Sequence, residues 1–409
     1  MPKPHARTRR LAPSLVLALS LALSGCTAGT PADPVFNRDR EGAVEVPVAS
    51  PESFVTKAEW SVPHAPDASV ALGAPGIVTF EAGAQGEYRP VALNPRDGSR
   101  VWAAYDVLAS KAAPPSLHLV ESGGQQWVVA LTYEGKDVTV STYNPMLTGD
   151  VTPVHTRRFT PESKTAPRVV AHSDGVLVVG AKDASVAQYH AESDSMTVLT
   201  DLPKKDDKAP TPVESFRDGV LLAYGDGGFV YFAKQGAWKS AKVAPEGADA
   251  SKGKVIASNG GVTVVEWPLR GGGTGLWLHE TLTGRVVAGG KVDDVQKIAQ
   301  ARQNGAPLVE SADGEAILWG EFLFDPAAEG VRTLDLHGGQ ARAARAGVVY
   351  ASGAASALVE PADGFDGSVA FDWEKGEPVK TSGSIPVGFS YLGHGVFSEG
   401  DAVYAVNLG

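Results

Sequence analysis

A short sequence element recurs along most of this 409-residue chain, and its spacing constrains the fold more than any other feature. In this element a polar residue or a turn is followed by Gly and then by a β-branched or apolar run. Clear copies are Gly175-Val176-Leu177, Gly219-Val220-Leu221 and Gly261-Val262-Thr263, separated by 44 and 42 residues. A period of this length is typical of repeat architectures, in which each unit buries its apolar faces against its neighbours.

Further copies extend the period towards both ends of the chain. They are Gly76-Ile77-Val78, Gly347-Val348-Val349 and Gly395-Val396-Phe397, and two of the intervals, 99 and 86 residues, are close to twice the others. The missing members are found inside these double intervals, at Trp127-Val128-Val129 and Pro307-Leu308-Val309. The spacing therefore predicts eight units of roughly 44 residues.

Each unit contains further short strand patterns around the recurring element. A second strand ends in a turn closed by Gly, as in Val91 to Gly98, and a third strand then leaves, as in Arg100-Val101-Trp102. Another short strand precedes the hairpin, as in Arg168-Val169-Val170. Four short strands per unit with almost no helical periodicity predict an all-β chain that folds as a β-propeller. Eight four-stranded blades fit the count best, and seven are the alternative.

The ending of the second strand resembles the A-x-D-x-x-T-G-x-x-x-W repeat of pyrroloquinoline-quinone-type (PQQ-like) propellers. The most similar copies are Ala92 to Trp102 and Trp277 to Gly284, although most units lack the final Trp, and Trp238 follows its Gly by only two residues. WD40 blades are disfavoured because no strand ends in Trp-Asp. The resemblance covers about Thr56 to Gly409 and implies the fold rather than an activity.

The two ends of the repeat region are expected to pair with each other. The last unit supplies Gly395-Val396-Phe397 and Ala402 to Val406 but lacks its outermost strand. Lys57 to Val62 has no hairpin of its own, and its Trp60 stands in the place of Trp102. An open ring would leave two unpaired sheet edges, so we expect this segment to pair with the strand around Tyr404 and complete the eighth blade.

The N-terminus has the pattern of an export signal. The first ten residues carry four basic and no acidic side chains, and Leu11 to Leu23 is a mainly apolar run too short to span a membrane. It ends in Leu23-Ser24-Gly25-Cys26, which resembles the lipobox of bacterial lipoproteins. The resemblance implies cleavage before Cys26 and a lipid (diacylglycerol, with palmitate-type acyl chains) on its sulfur. Two or more acyl chains give stable anchoring.

The organisation that follows has three parts. Residues 1–25 form the lipoprotein signal peptide, residues 26–51 a lipidated, flexible tether, and residues 52–409 the propeller. The expected location is the outer, extracytoplasmic face of the cell membrane, with the membrane bound through the lipid on Cys26. The general and twin-arginine export routes (Arg9-Arg10) both stay open, as does the choice of membrane in a cell that has two.

Charge and cysteine content narrow the range of partners. The formal net charge is −11, and removal of the four basic residues of the signal peptide leaves −15. Such an acidic domain repels nucleic acid, so we expect no nucleic-acid partner. Cys26 is the only cysteine, and no intramolecular disulfide can form.

No catalytic or metal-binding pattern is found in the sequence. Gly388 to Gly393 lacks the Gly-x-Ser-x-Gly spacing of a nucleophile elbow, and His279-Glu280 lacks the second His of a zinc-protease motif. The nine histidines are scattered without ligand-like pairs. A quinoprotein dehydrogenase, which shares the repeat, commonly uses an adjacent-cysteine disulfide that this chain cannot form. We therefore predict no catalytic residues, no metal and no cofactor, and the protein is not expected to be an enzyme.

Some residues could nevertheless contact a ligand. The loop Arg270 to Gly275 is either a backbone anion cradle or a hairpin connection, and Asp363 and Asp366 could touch a cation. Three tryptophans in strand patterns are either packing between blades or binding residues. Four arginines fall near predicted inner strands and could face a central channel. The tryptophans are Trp267, Trp277 and Trp319, and the arginines are Arg217, Arg302, Arg342 and Arg345.

Two functions from different classes remain. The leading hypothesis is a non-catalytic binding or scaffold lipoprotein of the cell envelope that engages another envelope protein through loops on one face. The alternative is an extracytoplasmic enzyme or small-ligand binder that uses the central funnel. An exposed apolar, loop-built patch would favour the first hypothesis, and titratable groups converging in the channel would favour the second.

Overall fold

The computed structural model describes residues 44–45, 53–66, 68–83, 86–160, 168–172, 175–179, 186–200, 202–206, 210–217, 219–233, 236–353, 367–379 and 384–408. These residues form eight sheets, each with a core of four antiparallel strands, arranged in a ring as the blades of a β-propeller. The eight-bladed, four-stranded fold expected from the repeat is therefore confirmed.

Blades 1 to 4 follow one another along the chain. Blade 1 consists of β3 (Ala71–Gly73), β4 (Gly76–Ala82), β5 (Glu87–Leu93) and β6 (Arg100–Ala104). Blade 2 consists of β8 (Ser116–Ser122), β9 (Gln125–Glu134), β10 (Asp137–Tyr143) and β12 (His155–Phe159). Blade 3 consists of β13 (Arg168–His172), β14 (Gly175–Val179), β15 (Val186–His190) and β16 (Ser195–Leu199). Blade 4 consists of β17 (Thr211–Phe216), β18 (Gly219–Ala223), β19 (Phe229–Ala233) and β20 (Gly236–Lys239).

Blades 5 to 7 repeat the same order. Blade 5 consists of β21 (Lys254–Ser258), β22 (Val262–Pro268), β23 (Thr274–Glu280) and β24 (Val286–Val292). Blade 6 consists of β25 (Leu308–Glu310), β26 (Ile317–Trp319), β27 (Phe322–Asp325) and β28 (Gly330–Thr333). Blade 7 consists of β29 (Gln340–Arg345), β30 (Val348–Ser352), β31 (Val369–Asp372) and β32 (Glu377–Val379).

Blade 8 combines strands from both ends of the repeat region. It contains β33 (Gly388–Phe389), β34 (Gly395–Glu399), β35 (Ala402–Leu408) and, as its fourth strand, β2 (Phe54–Pro63). In the register of β2 with β35, Trp60 lies opposite Ala405 and Ser61 opposite Tyr404. The predicted closure of the ring is confirmed. A two-residue strand β1 (Val44–Glu45) pairs with the outer edge of β2, so part of the segment assigned to the tether is attached to blade 8.

The remaining elements lie between or beside the blades. β7 (Leu108–Ala109) pairs with β5, and β11 (Gly149–Val151) runs parallel to β6 along the outer edge of blade 1. A 3-10 turn spans Gly225–Gly227, and α1 (Ser240–Val243) follows blade 4. Helix α2 (Val295–Gln303) joins blades 5 and 6.

The core consists of eight apolar clusters, one at each of the eight contacts between neighbouring blades. Side chains alternate along a strand, so Val264 packs against blade 6 while Val265 packs against blade 4. Strands buried on both faces therefore read as continuous apolar runs. The cluster of Trp60 and Ala405 with Ile77 and Val91 joins blade 8 to blade 1, so burial closes the ring as well as strand pairing.

Blade 6 departs from the sequence prediction. We expected Pro307-Leu308-Val309 to be the strand that follows a hairpin Gly, but Leu308–Glu310 is the first strand of its blade. The strand in the expected position is Ile317–Trp319, which has Gly320 after it rather than before it. The prediction was wrong because helix α2 occupies the preceding residues and the blade's strands are short.

Candidate functional site

The first strands of successive blades face the axis of the ring and enclose a cavity of about 390 Å³. Blades 1 to 5 contribute to its lining. The side contributed by blades 1 and 2 is mainly apolar and includes Leu72 and Leu119. The side contributed by blades 3 to 5 is mainly polar and includes His172, Glu214 and Asn259. We refer to this cavity as the axial pocket.

The polar side of the axial pocket is built on a buried pair of side chains. Nδ1 of His172 lies 2.6 Å from Oε1 of Glu214, and the two side chains are 11% and 4% exposed. The backbone N–H of Ser215 also donates to Oε1, at 3.1 Å. A β-bulge between Pro212 and Glu214 shifts the register of β17 against β18. Bulges often re-aim a side chain next to a binding site.

His118 contributes a neutral imidazole to the same pocket. Burial, and to a smaller extent the nearby His172, lower its pKa to about 4. Its Nε2 is 2.9 Å from the hydroxyl oxygen of Ser116, which fixes the ring. At neutral pH His118 therefore adds a hydrogen-bonding surface without adding positive charge.

A second candidate surface lies on the rim, where blade 1 meets blade 2. Strand β11 pairs with β6, and the N–H of Tyr105 donates to the carbonyl of Val151 at 2.6 Å. Five of the eleven exposed large apolar side chains in the described residues lie on the two segments joined in this way. These five, here called the rim patch, are Tyr105, Val107, Met146, Leu147 and Val154.

The tryptophans that could have been binding residues are packing residues. Trp267 and Trp319 are buried at the contacts of blade 5 with blade 4 and of blade 6 with blade 5, and Trp277 is 9% exposed beside Trp267. Nε1 of Trp267 donates to Nε2 of His279 at 3.2 Å, and Nδ1 of that ring bonds to the carbonyl of Gly284 at 2.9 Å. Burial lowers the pKa of His279 to about 4, so it is a neutral structural residue.

The four arginines do not form one group in the channel. Arg302 lies on α2, ahead of the first strand of blade 6, and pairs with Glu266. Arg342 bonds to Ser352 on the neighbouring strand, and Arg345 lies over the ring of Phe389. Arg217 follows the first strand of blade 4. The described residues that line the axial pocket include none of these four arginines.

The remaining sequence candidates divide into those that the structure describes and those that it does not. Arg270 to Gly275 belongs to the hairpin between β22 and β23, and the N–H groups of Arg270 and Gly272 donate to backbone carbonyls. These two N–H groups are therefore engaged within the protein. His279-Glu280 lies at the end of strand β23. Cys26, Asp363 and Asp366 lie outside the described residues.

The described part of the chain contains neither a metal-binding cluster nor a membrane-spanning helix. No group of three or more His, Asp and Glu side chains there is arranged to hold a metal ion. No helix within those residues is both long and apolar enough to cross a membrane.

The residues of the axial pocket were not recognised in the sequence. His118, His172 and Glu214 lie 54 and 42 residues apart, and none stands beside another titratable partner in a local motif. The signal that was available is their position in the repeat, since each lies on the strand before a blade's hairpin. Aligning the repeats on that strand would have placed all three on the axis.

Comparison with known proteins gives no match in sequence and low similarity to solved structures. No protein-family profile matches the chain, and no curated protein matches it in sequence. The WD40 β-propeller domain of Doa1 gives a TM-score of 0.34 at 10% identity and covers 86% of this chain and 96% of that one. A chain of the mitotic checkpoint complex gives a TM-score of 0.34 at 10% identity, and the match covers 82% of this chain and 95% of that one. The WD40 domain of Toxoplasma gondii coronin gives a TM-score of 0.33 at 12% identity, and the match covers 89% of this chain and 88% of that one. The blade arrangement rests on the sheet topology itself.

Proposed function

We propose that this protein is a lipid-anchored, non-catalytic binding propeller on the outer face of the cell membrane, where it engages another envelope protein. The observation that carries the binding role is the rim patch, because exposed apolar side chains concentrated on paired segments mark interaction surfaces. Met146 is 77% exposed and Tyr105 66%, so both large side chains are available to a partner.

The anchor is proposed from the sequence. Leu23-Ser24-Gly25-Cys26 follows an apolar run with a basic start, and Cys26 is the chain's only cysteine. A lipid on Cys26 would tether the chain ahead of Val44–Glu45, which is paired with the outer edge of blade 8. The acidic propeller would then stand off an anionic membrane surface while the lipid holds it nearby.

The kinship with PQQ-like propellers is supported by two inter-blade contacts. Nε1 of Trp60 donates to the carbonyl of Pro95 at 3.0 Å, and Nε1 of Trp238 donates to that of Leu282 at 2.9 Å. In both cases a Trp on the outer strand of one blade lies against the Gly-closed turn of the next blade. This is a structural use for the Trp and Gly of the repeat, and it requires no cofactor.

Lipidation is tested by metabolic labelling with a fatty-acid analogue. Wild-type protein should incorporate the label, and Cys26→Ser should not, because the serine hydroxyl cannot form the thioether. Thr27→Ser is the matched control, since it alters the adjacent residue and leaves the thiol in place. Label persisting on the Cys26→Ser protein would refute the anchor.

The binding role is tested by placing a photo-crosslinking amino acid at Met146 in intact cells. We expect a discrete adduct, which Tyr105→Glu should weaken by putting a charge into the apolar surface. Val198 is the matched control position, because it is exposed and apolar but lies on blade 3, away from the rim patch. The same adducts at both positions, or none at Met146, would contradict the proposal.

A further inference from the structure

The axial pocket contains a carboxylate oxygen that has no hydrogen-bond donor in the described part of the chain. Both donors to Glu214, the Nδ1 of His172 and the N–H of Ser215, reach Oε1. The side chain is only 4% exposed, so bulk water solvates little of the carboxylate. Oε2 is not fully buried, so a ligand in the pocket that donates a hydrogen bond can reach it.

The charges around this oxygen favour a cationic donor. Among the described residues that line the pocket there is no Lys or Arg. The burial that lowers the pKa of His118 to about 4 keeps that ring neutral. His172, the remaining histidine in the lining, is bonded to Glu214 through its Nδ1. An anionic ligand would be repelled by the buried carboxylate, whereas a cation would be attracted to it.

The apolar part of the pocket lining favours an apolar body on the ligand. Leu72 of blade 1 and Leu119 of blade 2 line the cavity together with His172 and Glu214. The cavity of about 390 Å³ is within the usual range for small-molecule sites. A ligand must therefore combine a donating cation at one end with an apolar portion at the other.

We propose that the axial pocket binds a small organic amine, whose ammonium group donates to Oε2 of Glu214 and whose apolar portion lies against Leu72 and Leu119. Asn259 also lines the pocket, and its Oδ1 accepts a hydrogen bond from the N–H of Val262 at 3.2 Å. This site goes beyond the protein-binding role of the rim patch and does not depend on it.

The charge requirement is tested with three probes that share one ring. Full-length protein isolated in detergent micelles is titrated by calorimetry with benzylamine, benzyl alcohol and benzoate. We expect saturable binding of benzylamine, binding of benzyl alcohol weaker by at least about tenfold, and no binding of benzoate, because only benzylamine can form a charge-assisted hydrogen bond with the carboxylate.

The carboxylate is tested with Glu214→Gln, which keeps the size of the side chain and removes its charge. Benzylamine affinity should fall by about tenfold or more. Glu121→Gln is the control, because Glu121 is an exposed residue on β8 that does not line the pocket. Unfolding temperatures of both variants show whether the fold is intact.

A measurement on the unmodified protein keeps the test decisive if Glu214→Gln fails to fold. With ¹⁵N-labelled histidine, benzylamine should shift the ring signals of His172 saturably and leave those of the exposed His337 unchanged. No saturable binding up to about 10 mM, equal affinity for the three probes, or full affinity in a folded Glu214→Gln would overturn the proposal. Trapped water alone would then solvate the carboxylate.

Discussion

The indole nitrogen of Trp60 donates a hydrogen bond to the carbonyl oxygen of Pro95, 3.0 Å away, across the contact between blade 8 and blade 1. Trp60 lies on β2, and Pro95 lies in the turn that ends β5 of the next blade. The same carbonyl accepts a second bond from Nδ1 of His394, on the hairpin of blade 8. The turn of blade 1 is thus held by both segments of the chain that make up blade 8.

The indole bond should be measurable by comparing two Trp→Phe variants. Trp60 and Trp102 are both buried on the fourth strand of their blades, but Nε1 of Trp102 has no partner among the described residues. Trp60→Phe should therefore lower the free energy of unfolding by about 1 kcal/mol more than Trp102→Phe. Denaturant unfolding measures both values, and equal losses would show that the bond to Pro95 adds nothing.

The turn glycine opposite Trp60 should tolerate no side chain. Gly98 has a φ of +68°, and a Cβ there would lie 2.6 Å from Cε3 of the indole. Gly376, in the corresponding turn of blade 7, has a φ of +73° with no atom within 4 Å of its Cβ position. Gly376→Ala should cost about 1–2 kcal/mol for the left-handed backbone alone.

Gly98→Ala should cost about 1–3 kcal/mol more than Gly376→Ala, since the indole must also move. Thermal and denaturant unfolding compare the two variants directly. If the two substitutions cost the same, the close contact between Gly98 and Trp60 is not part of the folded protein in solution.

Acid should destabilise the propeller through His279. The pKa of this buried ring is lowered from 6.5 to about 4, because burial penalises its charged form. The unfolded chain therefore binds the proton first, and stability falls as the pH drops from about 6.5 towards 4. The full loss from this one group is about 3 kcal/mol, from about 1.4 kcal/mol per pKa unit.

The variant His279→Gln isolates this contribution. It should unfold more easily than the wild type at pH 7, because the bonds to Trp267 and Gly284 are disturbed, but its stability should depend less on pH. His337→Gln is the control, because His337 is exposed and should leave the pH dependence unchanged. Identical pH profiles for wild type and His279→Gln would contradict the assignment.

Much of the fold could be predicted because every blade buries a strand of the same kind and therefore has the same sequence pattern. A strand such as Gly219–Ala223 is buried on both faces, so it reads as Gly followed by a continuous apolar run wherever it occurs. The pairing of Trp60 with the last blade also followed from the repeat. The last unit lacked its outermost strand, and the strand that contains Trp60 had no hairpin of its own.

Helix α2 could not be found from the repeat, because it is an insertion between blades. Its own signals are local: Asp294 accepts bonds from the N–H groups of Gln296 and Lys297, and Ile298 and Ala301 are buried at helical spacing. These signals span too few residues to stand out against strands of similar length. Overlooking the helix led to the wrong assignment of Leu308–Glu310.

The axial pocket was missed for a different reason. His172 and Glu214 meet only because the ring brings the first strands of blades 3 and 4 together. Nothing in the local sequence requires a bulge before Glu214, although the bulge precedes the carboxylate that lines the pocket. A side-chain pair that forms only when blades meet around the axis cannot be recognised from the sequence of a single repeat unit.

Closure of the ring is the claim on which the pocket, the attachment of the N-terminal segment and the blade contacts all depend. Strand β35 lies between β34 and β2, and its Ala405 is fully buried beside Trp60. A charge at that position should therefore act on the ring as a whole. Ala405→Glu is expected to destabilise the entire domain, whereas Asn407→Glu, on the half-buried end of the same strand, should cost far less.

The most direct measurement is the thermal unfolding of protein lacking residues 402–409, followed by circular dichroism. Removal of this strand exposes the apolar edges of blades 1 and 8 together, so the transition of the whole domain should fall by on the order of 10 °C or disappear. An unchanged midpoint with only a small loss of signal would mean that the end of the chain frays alone, and the closed ring would be contradicted.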